Sequence, residues 1–231
     1  MTQPCLILAA GFGTRMGALT ADRPKPLIKV GGSSLLDHAL DHARGAQATP
    51  IAVNAHYRAD QIMRHLDGQA DVTVLHEHPK ILDSGGAVKN AAKGFPATPM
   101  LTINADNVWR GPNPLGLLTA AFDPQTMGAL LLVVPRARAV GRLEGGDFAM
   151  DGEGRLTLDK SPDTWVYTGA QILDPAPCLD DPRDIFTLRE TWAALEAEGR
   201  LYGMIYPGHW ADVGQPEGIA LAEAMLEGAD V

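Results

Sequence analysis

Five short apolar runs, Cys5–Ala10, Ile51–Asn54, Val72–His76, Met100–Ile103 and Ala129–Val134, punctuate the first 135 residues at intervals too long for hairpins. Short aliphatic runs of this kind are the pattern of strands buried on both faces. Between them, helical periodicity covers Ser34–Arg44, Ala59–Leu66, Gly86–Lys93 and Pro114–Phe122. Ser34 followed by Asp37 resembles a capping box, with Asp in the place usual for Glu or Gln. Strands alternating with helices imply right-handed crossovers and an α/β fold with a doubly wound, mainly parallel sheet. Ligands bind such sheets at the carboxyl ends of the strands. Gly11, Asn54, His76 and Asp106 all fall at or just past those ends.

Beyond residue 135 the pattern changes. Phe148–Met150 and Arg155–Leu158 flank Asp151-Gly152-Glu153-Gly154, a hairpin signal. Trp165–Tyr167 and Ala170–Leu173 are predicted as two further short strands, Thr187–Glu198 and Pro216–Glu227 as helices, and Leu201–Tyr206 as a strand between them. No repeat, low-complexity segment or linker interrupts the chain. The expectation is one domain over residues 1–231, with a parallel half (1–135) and an antiparallel elaboration (136–231) that completes its pocket.

The first strand runs straight into Gly11-Phe12-Gly13-Thr14-Arg15-Met16-Gly17, and Arg23-Pro24-Lys25-Pro26-Leu27 follows shortly after. Two glycines let the backbone curl around a ligand with its N–H groups inward. Arg15 and Lys25 add cations, and backbone donors plus cations suit a polyphosphate. A Walker loop needs G-x-x-x-x-G-K-[ST], which is absent here. A dinucleotide fingerprint needs a third glycine and an acid ending the second strand, where Met16 and Asn54 stand. The loop is thus predicted to hold a nucleoside triphosphate, against the plainer reading of a turn whose glycines serve packing.

Composition narrows the partners. A balance of 19 basic to 28 acidic residues gives a net charge of −9, which argues against general nucleic-acid binding. Two cysteines, Cys5 and Cys178, make no disulfide framework, and Cys5 is expected as a buried, reduced thiol. No secretory signal pattern or membrane-spanning apolar stretch is seen, so the expected location is cytoplasmic, away from membranes. His38 and His42, one helical turn apart, and His76 and His78 on one strand face lack an evident third metal ligand. No nucleophile elbow is present either.

The run Leu8-Ala9-Ala10-Gly11-Phe12-Gly13-Thr14-Arg15-Met16 with Pro24-Lys25-Pro26-Leu27 resembles the signature of the sugar-1-phosphate nucleotidyltransferases. Further matches follow in order at Val53-Asn54, Asp83-Ser84-Gly85-Gly86, Asn104-Ala105-Asp106, Gly146-Asp147-Phe148, Tyr167-Thr168-Gly169 and His209-Trp210-Ala211-Asp212-Val213-Gly214. The Asn-x-Asp run ending at Trp109, the Gly-Asp-Phe element and the lack of hexapeptide repeats are most similar to the short N-acetylmuramate-1-phosphate uridylyltransferases of cell-wall recycling.

The resemblance implies a Rossmann-like nucleotidyltransferase fold acting on a nucleoside triphosphate and a sugar 1-phosphate, as a monomer or homodimer. It assigns Arg15, Lys25, Asp106 and Asp212 to catalysis, and Mg²⁺ to Asp106 and Asp212. It assigns nucleotide contacts to Leu8, Ala9, Ala10, Gly11, Gly13, Thr14, Arg15, Lys25, Asn54, Asp83, Gly85, Gly86 and Asp106. Acceptor contacts fall to Trp109, Gly146, Asp147, Thr168 and Gly169. Lys160 stands roughly where some relatives place a lysine on the sugar phosphate, though an exposed surface lysine is its plainer reading.

Several positions depart from the family pattern. Asp83, Ser84 and Ala87 replace the acidic, hydroxyl and third-glycine positions of Glu-Thr-Gly-Gly-Gly, and Ser84 would also serve as a plain helix N-cap. Ala105 and Gln215 stand where relatives carry Gly and Thr. These departures leave the base open, with a mannose-1-phosphate guanylyltransferase or a phospho-alcohol cytidylyltransferase as alternatives. A glycosyltransferase would want a second carboxylate beside Asp106, where Asn107-Val108 follows. A non-catalytic nucleotide sensor has no need of Arg15, Lys25, Asp106 and Asp212 together.

Overall fold

In the computed structural model, which describes residues 2–95, 99–143, 145–161 and 164–228, the first apolar run forms β1 (Cys5–Leu8). Two 3₁₀ segments, Thr14–Thr20 and Lys25–Leu27, carry the chain to a small hairpin, β2 (Lys29–Val30) and β3 (Ser33–Ser34). Helix α1 (Leu35–Gly45) opens on Ser34, whose Oγ accepts from the Asp37 N–H at 3.1 Å, while Asp37 accepts from the Ser34 N–H in return. Asp therefore closes the capping box as Glu would. Leu35, Leu36, Ala39, Leu40 and Ala43 make the helix's buried face.

Alternation continues through β4 (Ile51–Ala55), α2 (Ala59–His65), β5 (Val72–His76), α3 (Asp83–Ala92) and β6 (Met100–Asn104). β1 pairs in parallel with β4 and β6, and β4 with β5, so the order β5-β4-β1-β6 puts four carboxyl ends on one edge. Then follow β7 (Asn107–Arg110), α4 (Pro114–Ala121), β8 (Ala129–Pro135), β9 (Ala139–Val140), β10 (Phe148–Met150) and β11 (Leu156–Leu158). The chain closes with β12 (Trp165–Leu173), α5 (Ala176–Asp180), α6 (Leu188–Ala197), β13 (Leu201–Ile205), β14 (His209–Asp212) and α7 (Glu217–Glu227).

Two features correct the sequence expectation. The two short strands predicted at 165–167 and 170–173 are one strand, β12, with a register shift between Tyr167 and Gln171. β12 inserts antiparallel between β6 and β8, so Ala129–Val134 is not a neighbour of the parallel set. Val166, Thr168, Ala170, Gln171 and Leu173 have no exposed surface, as befits a strand covered on both faces. β13 then extends the sheet in parallel beside β8, and the β10–β11 hairpin joins the start of β12.

The second correction is a separate three-stranded sheet, β7-β14-β9, where no strand is predicted. β14 runs antiparallel to β7 with Asp212 opposite Asn107, and the Val213 N–H donates to the Asp106 carbonyl at 3.0 Å. Trp109, Tyr206 and Trp210 anchor this sheet in the core, with the Trp109 and Tyr206 rings perpendicular at 4.8 Å.

Helix α3 begins three residues earlier than predicted. Its Gly85 and Gly86 N–H groups both donate to the Phe186 carbonyl, at 2.9 and 3.1 Å, which satisfies first-turn donors that otherwise lack partners. Ser84 is not the cap; its Oγ accepts from the Leu188 N–H at 2.9 Å. A Cβ on Gly86 would collide with the Asp184 carbonyl oxygen, a backbone atom that cannot swing aside. Gly86→Ala is expected to destabilise the fold by about 1–3 kcal/mol, as overpacking does. Urea denaturation checks this, and wild-type stability would show that the 184–186 segment yields freely.

Candidate active site

At the carboxyl ends of β1, β4 and β6 lies a cleft of about 350 Å³, lined by Leu8, Ala9, Ala10, Gly11, Gly13, Thr14, Arg15, Lys25, Asn54, Asp83 and Asp106. These are eleven of the thirteen nucleotide positions that the family resemblance assigned. Gly13 turns the loop at φ +64°, and a Cβ there would stand 2.9 Å from the Lys25 Cβ. The missing side chain thus lets Lys25 pass beneath the loop. Around Gly11 a Cβ would meet nothing within 4 Å, so this glycine opens onto free space in the cleft.

The loop is fixed from below by a chain of buried hydrogen bonds. The Ala9 N–H donates to Asn54 Oδ1 at 2.6 Å, and Asn54 Nδ2 donates to Glu77 Oε1 at 2.8 Å. Glu77 Oε2 accepts from the Leu82 N–H at 2.8 Å. Asn54 therefore borders the cleft with its amide already committed on both sides, and serves as a strut. Glu77, only 2% exposed, was not singled out in the sequence; just past the end of β5, it has no pattern that marks it.

Asp106 follows β6 by two residues, and the β7–β14 pairing brings Asp212 beside it. Lys25 Nζ donates to Asp106 Oδ2 at 2.7 Å, with the lysine side chain 9% exposed. Burial first, then the Asp106 charge, holds the Asp212 carboxyl above its ordinary value, while Lys25, Arg142 and Arg15 pull it down. Among the described residues no side chain or N–H donates a hydrogen bond to the Asp212 carboxylate. A Cβ on Gly214 would stand 3.1 Å from Asp212 Oδ1, so the glycine leaves room beside a carboxylate that lines the site. Two adjacent carboxylates with one uncommitted are an oxygen set that fits a hard divalent cation.

A second cavity, of about 170 Å³, adjoins the first and shares Arg15, Asn104 and Asp106 with it. Asn107, Arg142, Asp147, Tyr167, Gly169, Trp192, Trp210 and Asp212 complete its wall. Asp147 Oδ1 accepts from Arg142 Nη2 at 2.9 Å and its Oδ2 from the Tyr167 N–H at 3.0 Å. Gly169, at φ +85°, brings β12 close to Asn104 and Asn107, whose amides a Cβ would strike.

Other assigned positions lie elsewhere. Trp109 is a core residue, edge-on to Tyr206 and Trp210, and borders neither cavity. Thr168 spends its hydroxyl on the Leu132 carbonyl at 2.7 Å, and its own carbonyl receives Trp210 Nε1 at 2.8 Å. Gly85 and Gly86 are pressed against Phe186 and Asp184, and Gly146 against Thr164, outside both cavities. Lys160 is exposed and lines neither. Arg142, Tyr167, Trp192 and Asn107 were missed as site residues, because nothing local in the sequence places them together.

A carboxyl whose folded-state value is raised ionises at the expense of the folded chain. That cost is absent when both states are protonated and fully present above the carboxylate range. Asp212→Asn is therefore expected to raise the melting temperature in chelator near neutral pH, by about 2–4 °C per kcal/mol relieved. The gain should vanish towards pH ~3, below the ordinary carboxyl value. Thermal denaturation across pH checks it, and a lower melting temperature at neutral pH would contradict the electrostatic argument.

Residues 5–140 match the family model of the MobA-like NTP transferase domain. The protein is 32% identical to the N-acetylmuramate alpha-1-phosphate uridylyltransferase of Caulobacter vibrioides, over 96% of both chains. It is 28% identical to the mannose-1-phosphate guanylyltransferase of Mycobacterium tuberculosis, covering 96% of this chain but only 64% of that longer one. In fold it is like HddC from Yersinia pseudotuberculosis complexed with GMP-PN, with a TM-score of 0.77 at 22% identity over 97% and 99% of the two chains. UDP-glucose pyrophosphorylase complexed with UDP-glucose gives 0.78 at 16% identity over 98% and 99%. The cleft at the carboxyl edge, its glycine loop and this relationship together make the chain a nucleotidyltransferase of the MobA-like NTP transferase family.

Proposed function

We propose that the protein transfers a uridylyl group from UTP to N-acetylmuramate 1-phosphate, releasing pyrophosphate, in the recycling of cell-wall sugars. The observation that carries the reading is the seam between the two cavities, where Arg15 and Asp106 border both. The relative that is 32% identical over both chains carries this activity in its name. An oxygen of the sugar phosphate attacks the α-phosphorus of UTP, and the bond to the β-phosphate breaks. The nucleophile is already ionised at neutral pH, so no general base is needed. The protein's work is to align two polyanions and to offset their charge.

Each half of the site has its part. The N–H groups of the Gly11–Thr14 loop and the Arg15 guanidinium hold the leaving β- and γ-phosphates. Lys25, freed from Asp106 as the ligands enter, stabilises charge building on the α-phosphate. Asp106 and Asp212 would hold Mg²⁺, which supplies positive charge to the phosphate oxygens. Asp147, fixed by Arg142 and the Tyr167 N–H, accepts from the acceptor's hydroxyl groups. Among the described residues no helix is long and apolar enough to cross a membrane.

The test is Mg²⁺-dependent pyrophosphate release with UTP, GTP, CTP and dTTP, each against N-acetylmuramate 1-phosphate, N-acetylglucosamine 1-phosphate, mannose 1-phosphate and phosphocholine. UTP with N-acetylmuramate 1-phosphate is expected to lead, and Asp106→Asn to lose at least about a hundredfold in kcat while staying folded. Preference for GTP with mannose 1-phosphate would replace both substrates, and an active Asp106→Asn would remove the carboxylate from the mechanism.

A further inference from the structure

The second cavity contains a cation that the transfer reaction does not explain. Arg15, shared between the cavities, and Lys25, on Asp106, stand at the seam where the phosphates meet. Arg142 borders the second cavity alone. It is placed there by the backbone: Gly141 turns at φ +76° so closely against β14 that a Cβ would collide with the Asp212 carbonyl oxygen. From this turn the guanidinium reaches Asp147, on the side of the cavity walled by Tyr167 and Trp192.

A guanidinium has five N–H donors, and this one is poorly satisfied. Nη2 donates to Asp147 Oδ1, whereas Nε is buried with no hydrogen-bond partner among the described residues. The side chain is 25% exposed, and among the described residues it hydrogen-bonds a single carboxylate, Asp147, while Asp212 acts on it through space. Under-satisfied charged donors of this kind are costly until an acceptor arrives, and the planar fork matches a carboxylate or a phosphate. A neutral hexose 1-phosphate would need acceptors for its hydroxyls, which Asp147 offers, but no second cation beyond those on its phosphate. An acceptor with a carboxylate on the ring would.

Resting on the substrate reading above, we infer that Arg142 is the specificity-determining residue that binds the lactyl carboxylate of N-acetylmuramate 1-phosphate. Asp147 then has two tasks: it holds the guanidinium in place and accepts from the ring beside it. On this basis the enzyme tells its substrate from N-acetylglucosamine 1-phosphate by charge, since the two differ only by the lactyl ether.

The experiment is steady-state kinetics with saturating UTP and both acceptors, for wild type, Arg142→Met and Arg142→Lys. For wild type, kcat/KM should favour N-acetylmuramate 1-phosphate. In Arg142→Met that preference should fall about tenfold to a hundredfold, carried by KM, the range expected for a lost charged hydrogen bond. Arg142→Lys, which keeps the charge without the fork, should fall between, and it decides the matter if the Met variant does not fold. An equal loss on both acceptors would overturn the inference, because it would assign Arg142 to the shared 1-phosphate or to the upkeep of Asp147. An unchanged preference in folded variants would overturn it while leaving the function intact. A wild type that releases pyrophosphate only with other acceptors would overturn the function, and the inference with it.

Discussion

The pairing of β7 with β14 is the constraint on which the site depends. Asp106 and Asp212 are more than a hundred residues apart, and only this four-residue ladder makes them neighbours. Two short strands alone are marginal in water. Here the ladder is carried by what it buries, since Val108, Ala211 and Val213 have no exposed surface and Trp109 and Trp210 almost none. Gly141 and Gly218 close in on the Asp212 carbonyl from either side, where a Cβ would clash or stand 2.8 Å away. The carboxylates are thus positioned by an apolar anchor and by close backbone contact, with few polar bonds of their own.

That arrangement concentrates charge in a place where water is scarce. A half-buried carboxylate beside a second one is unfavourable unless cations answer both. Lys25 answers Asp106 directly and Asp212 only through space. The pair is consequently unfavourable as it stands, and a bound cation would relieve it. A chain carrying −9 overall sets three cations, Arg15, Lys25 and Arg142, along the two adjoining cavities, so the local field opposes the global one. This is what attraction of two phosphate ligands to an acidic protein requires.

What the sequence made legible was local. A short apolar run ending in glycine specifies strand and loop together, and β1, β4, β5 and β6 lie within a residue or two of their expected places. The Ser34–Asp37 cap and the Gly11–Gly13 loop are likewise short-range chemistry. What stayed hidden needed a distant partner. Asn107–Arg110 and His209–Asp212 are too short and too polar to announce strands, and they become strands by pairing with each other and, for the second, with Ala139–Val140. β12 looked like two strands because Thr168-Gly169 breaks the apolar run, whereas the positive φ at Gly169 bends one continuous strand. The resemblance put Trp109 on the acceptor, whereas its ring packs on Tyr206 and Trp210 and borders neither cavity.

The two cavities differ in how their walls are built, and this explains why the glycine loop was legible from local residues while the acceptor side rested on the family resemblance. The first has one continuous stretch in its wall, the loop from Leu8 to Arg15 with Gly11 and Gly13, beside residues brought from Lys25, Asn54, Asp83, Asp106 and Gly214, so part of its chemistry is written as a glycine pattern in one place. Phosphates need little more than N–H groups and cations, which such a stretch supplies. The second is walled by side chains drawn from β7, the turn after β9, the residue before β10, β12, α6 and β14. Beyond the shared Arg15, Asn104 and Asp106, no local pattern encodes a wall assembled from six such places. What the chain keeps in one stretch can be recognised there, whereas what it assembles from distant elements becomes visible only in the fold.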